Sequence, residues 1–176
     1  AIGYGRNFTI YDTDDSLRVI KENLKAARLD EKMFHPKGVL NAISKAKDKL
    51  QTPAAMLKEA GDDYRMAVIS KVYEGYQKAL FGANALDFDD IILLTVRLFQ
   101  QNPESLSRYQ NRYRYIMVDE YKDTNHMQYR LISQLAAAHK NLCVVGDDDQ
   151  SIYKFRGATI ENILSFEEQF PGAAVI

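Results

Sequence analysis

Between Asp12 and about Phe81, apolar side chains recur at three- and four-residue steps, the spacing that gathers them on one face of an α-helix. Leu17, Ile20, Leu24 and Ala27 form the first stripe, with Asp12 and Thr13 in front of it as capping side chains. Further stripes run through Val39, Leu40, Ile43 and Leu50, then through Val68, Ile69, Val72, Tyr73, Tyr76 and Leu80. Pro36 and Pro53 mark helix starts, and Gly61 and Gly82 mark helix stops. Lys and Glu fill the positions between. Residues 1 to about 84 are therefore expected to form a short helical bundle with tyrosines in its core and no chemistry of its own.

After Asn84 the pattern changes. A helix is predicted from Asp87 to about Gln100, then a helical turn started by Pro103. Two continuous apolar runs follow, Tyr115-Ile116-Met117-Val118 and Leu142-Cys143-Val144-Val145, with a helical stripe of Met127, Leu131, Ile132 and Leu135 between them. Strand, helix, strand is the order of a parallel pair. Runs apolar on both faces predict a sheet covered by helices, with ligands beyond the carboxyl ends of its strands. The expected fold class is α/β, a helical subdomain joined to part of a parallel-sheet domain. No repeat, low-complexity tract or Gly/Ser-rich linker separates the halves, so they are expected to pack together.

At 176 residues and 46% hydrophobic, the chain is long enough for one packed domain or two small ones. Its net charge of -1 leaves any nucleic-acid contact to a local patch or to aromatic stacking. The single cysteine, Cys143, permits no internal disulfide or thiolate metal cluster, and a reducing, cytoplasmic setting is expected. The chain contains neither an apolar stretch of membrane-spanning length nor a signal-peptide pattern. It opens at Ala1 without methionine and closes on Ala173-Ala174-Val175-Ile176, like a strand cut off in mid-element, so a piece of a longer protein is expected.

Both predicted strands run into acidic residues. In Val118-Asp119-Glu120-Tyr121-Lys122-Asp123-Thr124, two adjacent carboxylates stand at a strand end. In a nucleotide-hydrolysing site, Asp119 would hold Mg²⁺ through water while Glu120 orients or deprotonates the water that attacks the terminal phosphate of ATP. The alternative is that they only end a strand and favour a helix beginning near Thr124. The second cluster, Gly146 to Ala158, combines Asp147, Asp148 and Asp149 with Gln150, Tyr153, Phe155 and Arg156. Gln150 could contact a terminal phosphate, Tyr153 and Phe155 could offer faces to unstacked bases, and Arg156 could bind phosphate or Glu120. A turn capped by Asp, with core aromatics, is the alternative. Asp87-Phe88-Asp89-Asp90 reads as a helix cap without catalysis. His35, His126 and His139 lack metal-ligand spacing.

VDEYKDTN at 118–125 and VVGDDDQSIYKFRGA at 144–158 resemble the Walker B box and the following motif of superfamily 1 helicases of the UvrD/Rep/PcrA type, most of all its PcrA branch. NFTIYDTDDS at 7–16 and NALDFDD at 84–90 resemble the family's linking segments, so the likeness covers nearly the whole chain. It implies that residues 1–84 are the helical subdomain inserted in the first RecA-like domain, and that 85–176 are the back half of that P-loop NTPase domain. By the same likeness Asp119 is the Mg²⁺ ligand, Glu120 the catalytic base and Gln150 the γ-phosphate sensor. Tyr153 and Phe155 touch single-stranded DNA, and Arg156 couples the two sites. The implied activity is ATP-driven movement on single-stranded DNA and unwinding at duplex junctions, by a cytoplasmic monomer. Lys122 stands where the family usually has Gln, and Phe155 where it often has Trp. No GxxxxGK[ST] phosphate loop occurs, so the chain alone is expected to be inactive. Two other functions compete: a non-catalytic DNA-binding or scaffold module of the same fold, and a two-metal nuclease using Asp119, Glu120 and Asp147–Asp149.

Overall fold

The computed structural model describes residues 2–146, 166 and 170–174, and the chain divides into two compact units, Ala1–Thr95 and Val96–Ile176. In the first unit, strand β1 (Thr9–Tyr11) leads into helices α1 (Thr13–Ala26), α2 (Pro36–Asp48), α3 (Pro53–Ala60) and α4 (Tyr64–Gly82), followed by strand β2 (Ala85–Asp87) and the start of helix α5 (Phe88–Gln101).

Each helix begins where the sequence supplies a cap or a proline. Asp12 accepts from the amide of Asp15 at 2.9 Å, Thr52 from Ala55 at 3.1 Å and Asp63 from Met66 at 3.0 Å. Pro36 and Pro53 occupy first turns, where a missing N–H costs nothing. Gly61 follows α3 at φ 52°, a backbone state that side-chain-bearing residues rarely adopt, whereas Gly82 is the last residue of α4 rather than its cap. Leu50, the last member of the second stripe, lies beyond α2 in a left-handed turn at φ 58°.

The apolar stripes meet in one core that includes Ile20, Leu24, Val39, Ile43, Val72 and Leu80. Each such side chain contributes about 1.5–3 kcal/mol on burial. Tyr73 and Tyr76 are in this core as expected, but Tyr64 is 70% exposed. Gly75 of α4 leaves room for Asn23 of α1, because a Cβ there would collide with the Asn23 amide oxygen.

The two segments read as linkers, around Ile10 and Leu86, are instead a parallel strand pair in the register Thr9↔Ala85, Ile10↔Leu86 and Tyr11↔Asp87. Strands of three residues are too short to show an alternation, so periodicity does not mark them.

In the second unit the end of α5 is followed by α6 (Pro103–Arg112), strand β3 (Ile116–Val118), a 3-10 turn (Tyr121–Asp123), α7 (His126–Ala136) and strand β4 (Leu142–Val144). Asn102 caps α6 through the amide of Ser105 at 3.0 Å, so a full helix replaces the single turn expected there. Gln110 of α6 donates to the carbonyl of Gln134 in α7 at 2.8 Å. β3 and β4 are parallel, with Met117 opposite Cys143. The expectation of helices over both faces is not met among the described residues: Met117 is 78% exposed, Tyr115 82%, and Cys143 is exposed as well. A sheet of two strands leaves one face of each strand without a covering layer. The result is a mixture of helices and small parallel sheets, an α/β chain.

Candidate nucleotide-hydrolysis site

Asp119 and Glu120 stand at the carboxyl end of β3, both exposed, where the chain leaves the sheet. The exit is built from the backbone. The amide of Val145 donates to the Val118 carbonyl at 2.8 Å, which extends the β3–β4 pairing past the last strand residue. Glu120 then takes a left-handed conformation, φ 51° and ψ 41°, at a cost of roughly 1–2 kcal/mol for a residue other than glycine. That turn returns the amide of Tyr121 to the Val145 carbonyl at 2.9 Å. The Asp119 carboxylate accepts from the Glu120 amide at 2.9 Å, which orients one carboxylate by the backbone of the other.

The segment from Tyr121 to Gln128 holds this corner in place. Tyr121 is fully buried, and its ring meets the edge of Phe166 with centroids 5.6 Å apart. Its phenol has no hydrogen-bond partner among the described residues, and burial, with a smaller contribution from Tyr129, pushes its pKa up to about 12. It packs here as a neutral wedge. Thr124 is also buried and donates from its hydroxyl to the Tyr121 carbonyl at 2.7 Å. Asn125 and Gln128 then form a reciprocal capping box: Gln128 N–H donates to Asn125 Oδ1 at 2.8 Å, and Asn125 N–H donates to Gln128 Oε1 at 3.0 Å. Helix α7 thus begins at His126 behind an Asn125 cap, close to the Thr124 start that the sequence suggests.

Sequence reasoning singled out the carboxylates but not Tyr121, Asn125 and Gln128, which fix the turn that presents them. The N-x-x-Q spacing of a capping box was the available signal. The donor set at the strand end is carboxylate oxygen only, exposed and at hydrogen-bonding distance from backbone, which suits a hard cation such as Mg²⁺ that keeps most of its waters.

The family model described as UvrD/REP helicase N-terminal domain matches residues 1–171. The chain belongs to that family. Among curated relatives, this UvrD/REP helicase domain is 53% identical over 175 residues to the ATP-dependent DNA helicase PcrA of Staphylococcus epidermidis, and equally to that of Staphylococcus aureus. The match takes in 99% of this chain but 24% of each relative, so the UvrD/REP chain spans about a quarter of the length of the relatives it matches.

The structure describes Asp119 and Glu120 side by side at one strand end. Gln150, Tyr153, Phe155 and Arg156, with Asp147, Asp148 and Asp149, lie outside the described residues. Asp87 caps α5 by accepting from the Asp90 amide, as expected, and both carboxylates also belong to a buried ionic cluster with Lys47. No described helix is long and apolar enough to cross a membrane.

Proposed function

We propose that this chain is the portion of an ATP-dependent DNA helicase that carries the hydrolytic carboxylates of its motor, and that the complete protein moves along single-stranded DNA and opens duplex junctions at the expense of ATP. The observation that carries the reading is the Asp119–Glu120 pair at the carboxyl end of a parallel strand, beyond which ligands bind in sheets of this kind, in a chain of the UvrD/REP family. The relatives' printed name supports the same activity. Residues 1–84 are assigned to an inserted helical subdomain and 85–176 to the back half of the first RecA-like domain.

In this assignment Asp119 holds a hydrated Mg²⁺, and the metal supplies charge neutralisation at the phosphates when bound. Glu120 orients and deprotonates the attacking water. Asp119 accepts from the Glu120 amide while Glu120 stands in the left-handed turn, and in this assignment the two adjacent residues serve different roles. Gln150 senses the terminal phosphate, Arg156 couples the nucleotide and DNA sites, and Tyr153 with Phe155 supplies stacking faces to single-stranded bases. A cytoplasmic monomer is the form assigned. The chain alone has no phosphate-cradling glycine loop in its sequence and is assigned negligible turnover.

The test is ATP hydrolysis by the longer protein with and without single-stranded DNA, compared with its Glu120→Gln variant and with the isolated chain. The expected result is DNA-stimulated turnover lost in Glu120→Gln with nucleotide binding kept, and none in the isolated chain. Robust turnover by the isolated chain, or full activity in Glu120→Gln, would overturn the assignment.

A further inference from the structure

Lys47, near the end of α2 between Lys45 and the capping residue Lys49, is completely buried. Its ammonium donates to Asp87 Oδ2 at 2.6 Å and reaches Asp90 Oδ1 at 2.8 Å. The Tyr76 hydroxyl of α4 donates to the same Asp87 Oδ2 at 2.8 Å, and Gln77 Nε2 donates to Asp90 Oδ1 at 3.2 Å. The remaining Asp87 oxygen accepts from the Asp90 amide at 2.8 Å, so Asp87 caps α5 while holding α2 and α4. Lys47 also sits over the Tyr76 ring, 5.2 Å from its centroid.

Among the described residues the bundle's apolar core cluster extends from Val19 to Ala85, and neither its buried members nor the half-buried side chains packed on it come from α5. Two of the helices that build the bundle, α2 and α4, therefore reach the first turn of α5 through charged and polar side chains. Such a connection is geometrically strict, because a buried carboxylate left without its partner costs far more than a displaced methyl group.

We infer that Lys47, Asp87, Asp90 and Tyr76 form a latch that fixes the first turn of α5 against the helical bundle, and that this corner opens as a local unit when the latch is broken. The latch belongs to the first unit alone and stands whether or not the proposed helicase function does. Buried salt bridges often add little to net stability, but removing one partner is costly, so the effect is read from single-partner variants.

Hydrogen exchange of the 176-residue chain, followed by mass spectrometry, tests it through Lys47→Met and Asp90→Asn. In Lys47→Met, amides of residues 86–92 should lose roughly 10²-fold or more of their protection while those of α1 and α3 keep theirs. Asp90→Asn preserves shape and the Lys47–Asp87 pair and should show a smaller loss, about tenfold, confined to the same segment. It decides the matter if Lys47→Met does not fold. Unchanged exchange at 86–92 in Asp90→Asn, or a loss spread evenly over α1 to α4, would overturn the latch.

Discussion

Tyr121 offers a test in which two substitutions at one position should move stability in opposite directions. Its ring is fully buried beside Asp119 and Glu120, and its hydroxyl has no partner among the described residues. A buried hydroxyl left unpaired costs about 1–3 kcal/mol. Tyr121→Phe removes that cost while keeping the ring and its edge contact with Phe166, so a gain of roughly 1 kcal/mol is expected. Tyr121→Ala removes the ring itself, for which losses of about 3–5 kcal/mol are usual. For a chain of 176 residues, each 1 kcal/mol corresponds to roughly 2–4 °C in Tm. Urea denaturation of the three proteins, comparing midpoints at equal slope, separates the outcomes. In the longer protein, Tyr121→Phe should keep ATP turnover and Tyr121→Ala should lower it, because the wedge holds the corner that presents the carboxylates. If Tyr121→Phe is destabilised by 1 kcal/mol or more (on the order of one buried hydrogen bond), the hydroxyl is paired and the neutral-wedge account is wrong.

Asn125→Ala removes the side-chain acceptor of the capping box, leaving the residue 125 amide to donate to Gln128 Oε1, and should cost about 1 kcal/mol, seen as a lower denaturation midpoint; no change would mean that the Asn125 side chain contributes nothing to α7. Burial, opposed by Lys47 and reinforced by Asp87, holds the Asp90 carboxyl above its ordinary value of 3.8. The folded chain therefore keeps that proton more tightly than the unfolded chain, and the Asp90 contribution is greatest at and below the unfolded value and declines as pH rises through the folded one. Thermal melts from acidic to neutral pH should accordingly show wild type losing ground to Asp90→Asn as pH rises; the opposite slope would contradict the shift. Lys122→Gln replaces a cation in the turn after Glu120 by a neutral amide and should raise DNA-stimulated ATP turnover in the longer protein, whereas a fall would show that Lys122 serves the site.

The helices were legible because their starts are chemical as well as periodic: Asp12 before α1, and Pro36 and Pro53 inside the first turns of α2 and α3, coincide with the onset of apolar stripes. β3 and β4 were legible as unbroken apolar runs ending in acid. β1 and β2 were not, since three residues of Thr-Ile-Tyr or Ala-Leu-Asp carry less than two periods of alternation, and what makes them strands is each other, 76 positions apart in the register Thr9↔Ala85. Lys47 was hidden for a related reason. Flanked by Lys45 and Lys49, it reads as part of a wet face, and only the carboxylates forty residues away at Asp87 explain its burial. Cys143 failed in the other direction: its apolar neighbours suggested burial, but among the described residues β4 pairs with β3 alone and Cys143 is exposed. At the candidate site the carboxylates could be read from their place at a strand end, while the left-handed turn at Glu120 could not, because Glu has no preference for it.

The most direct measurement is the steady-state ATPase of the longer protein with saturating single-stranded DNA, wild type against Glu120→Gln, alongside equilibrium binding of a non-hydrolysable ATP analogue. The account predicts a fall in kcat of about 10²–10⁴-fold, the range for loss of a positioned base, with analogue binding within a few-fold of wild type. Comparable kcat in the two proteins would contradict the assignment of Glu120 as the base and, with it, the reading of the β3 strand end as the hydrolytic site.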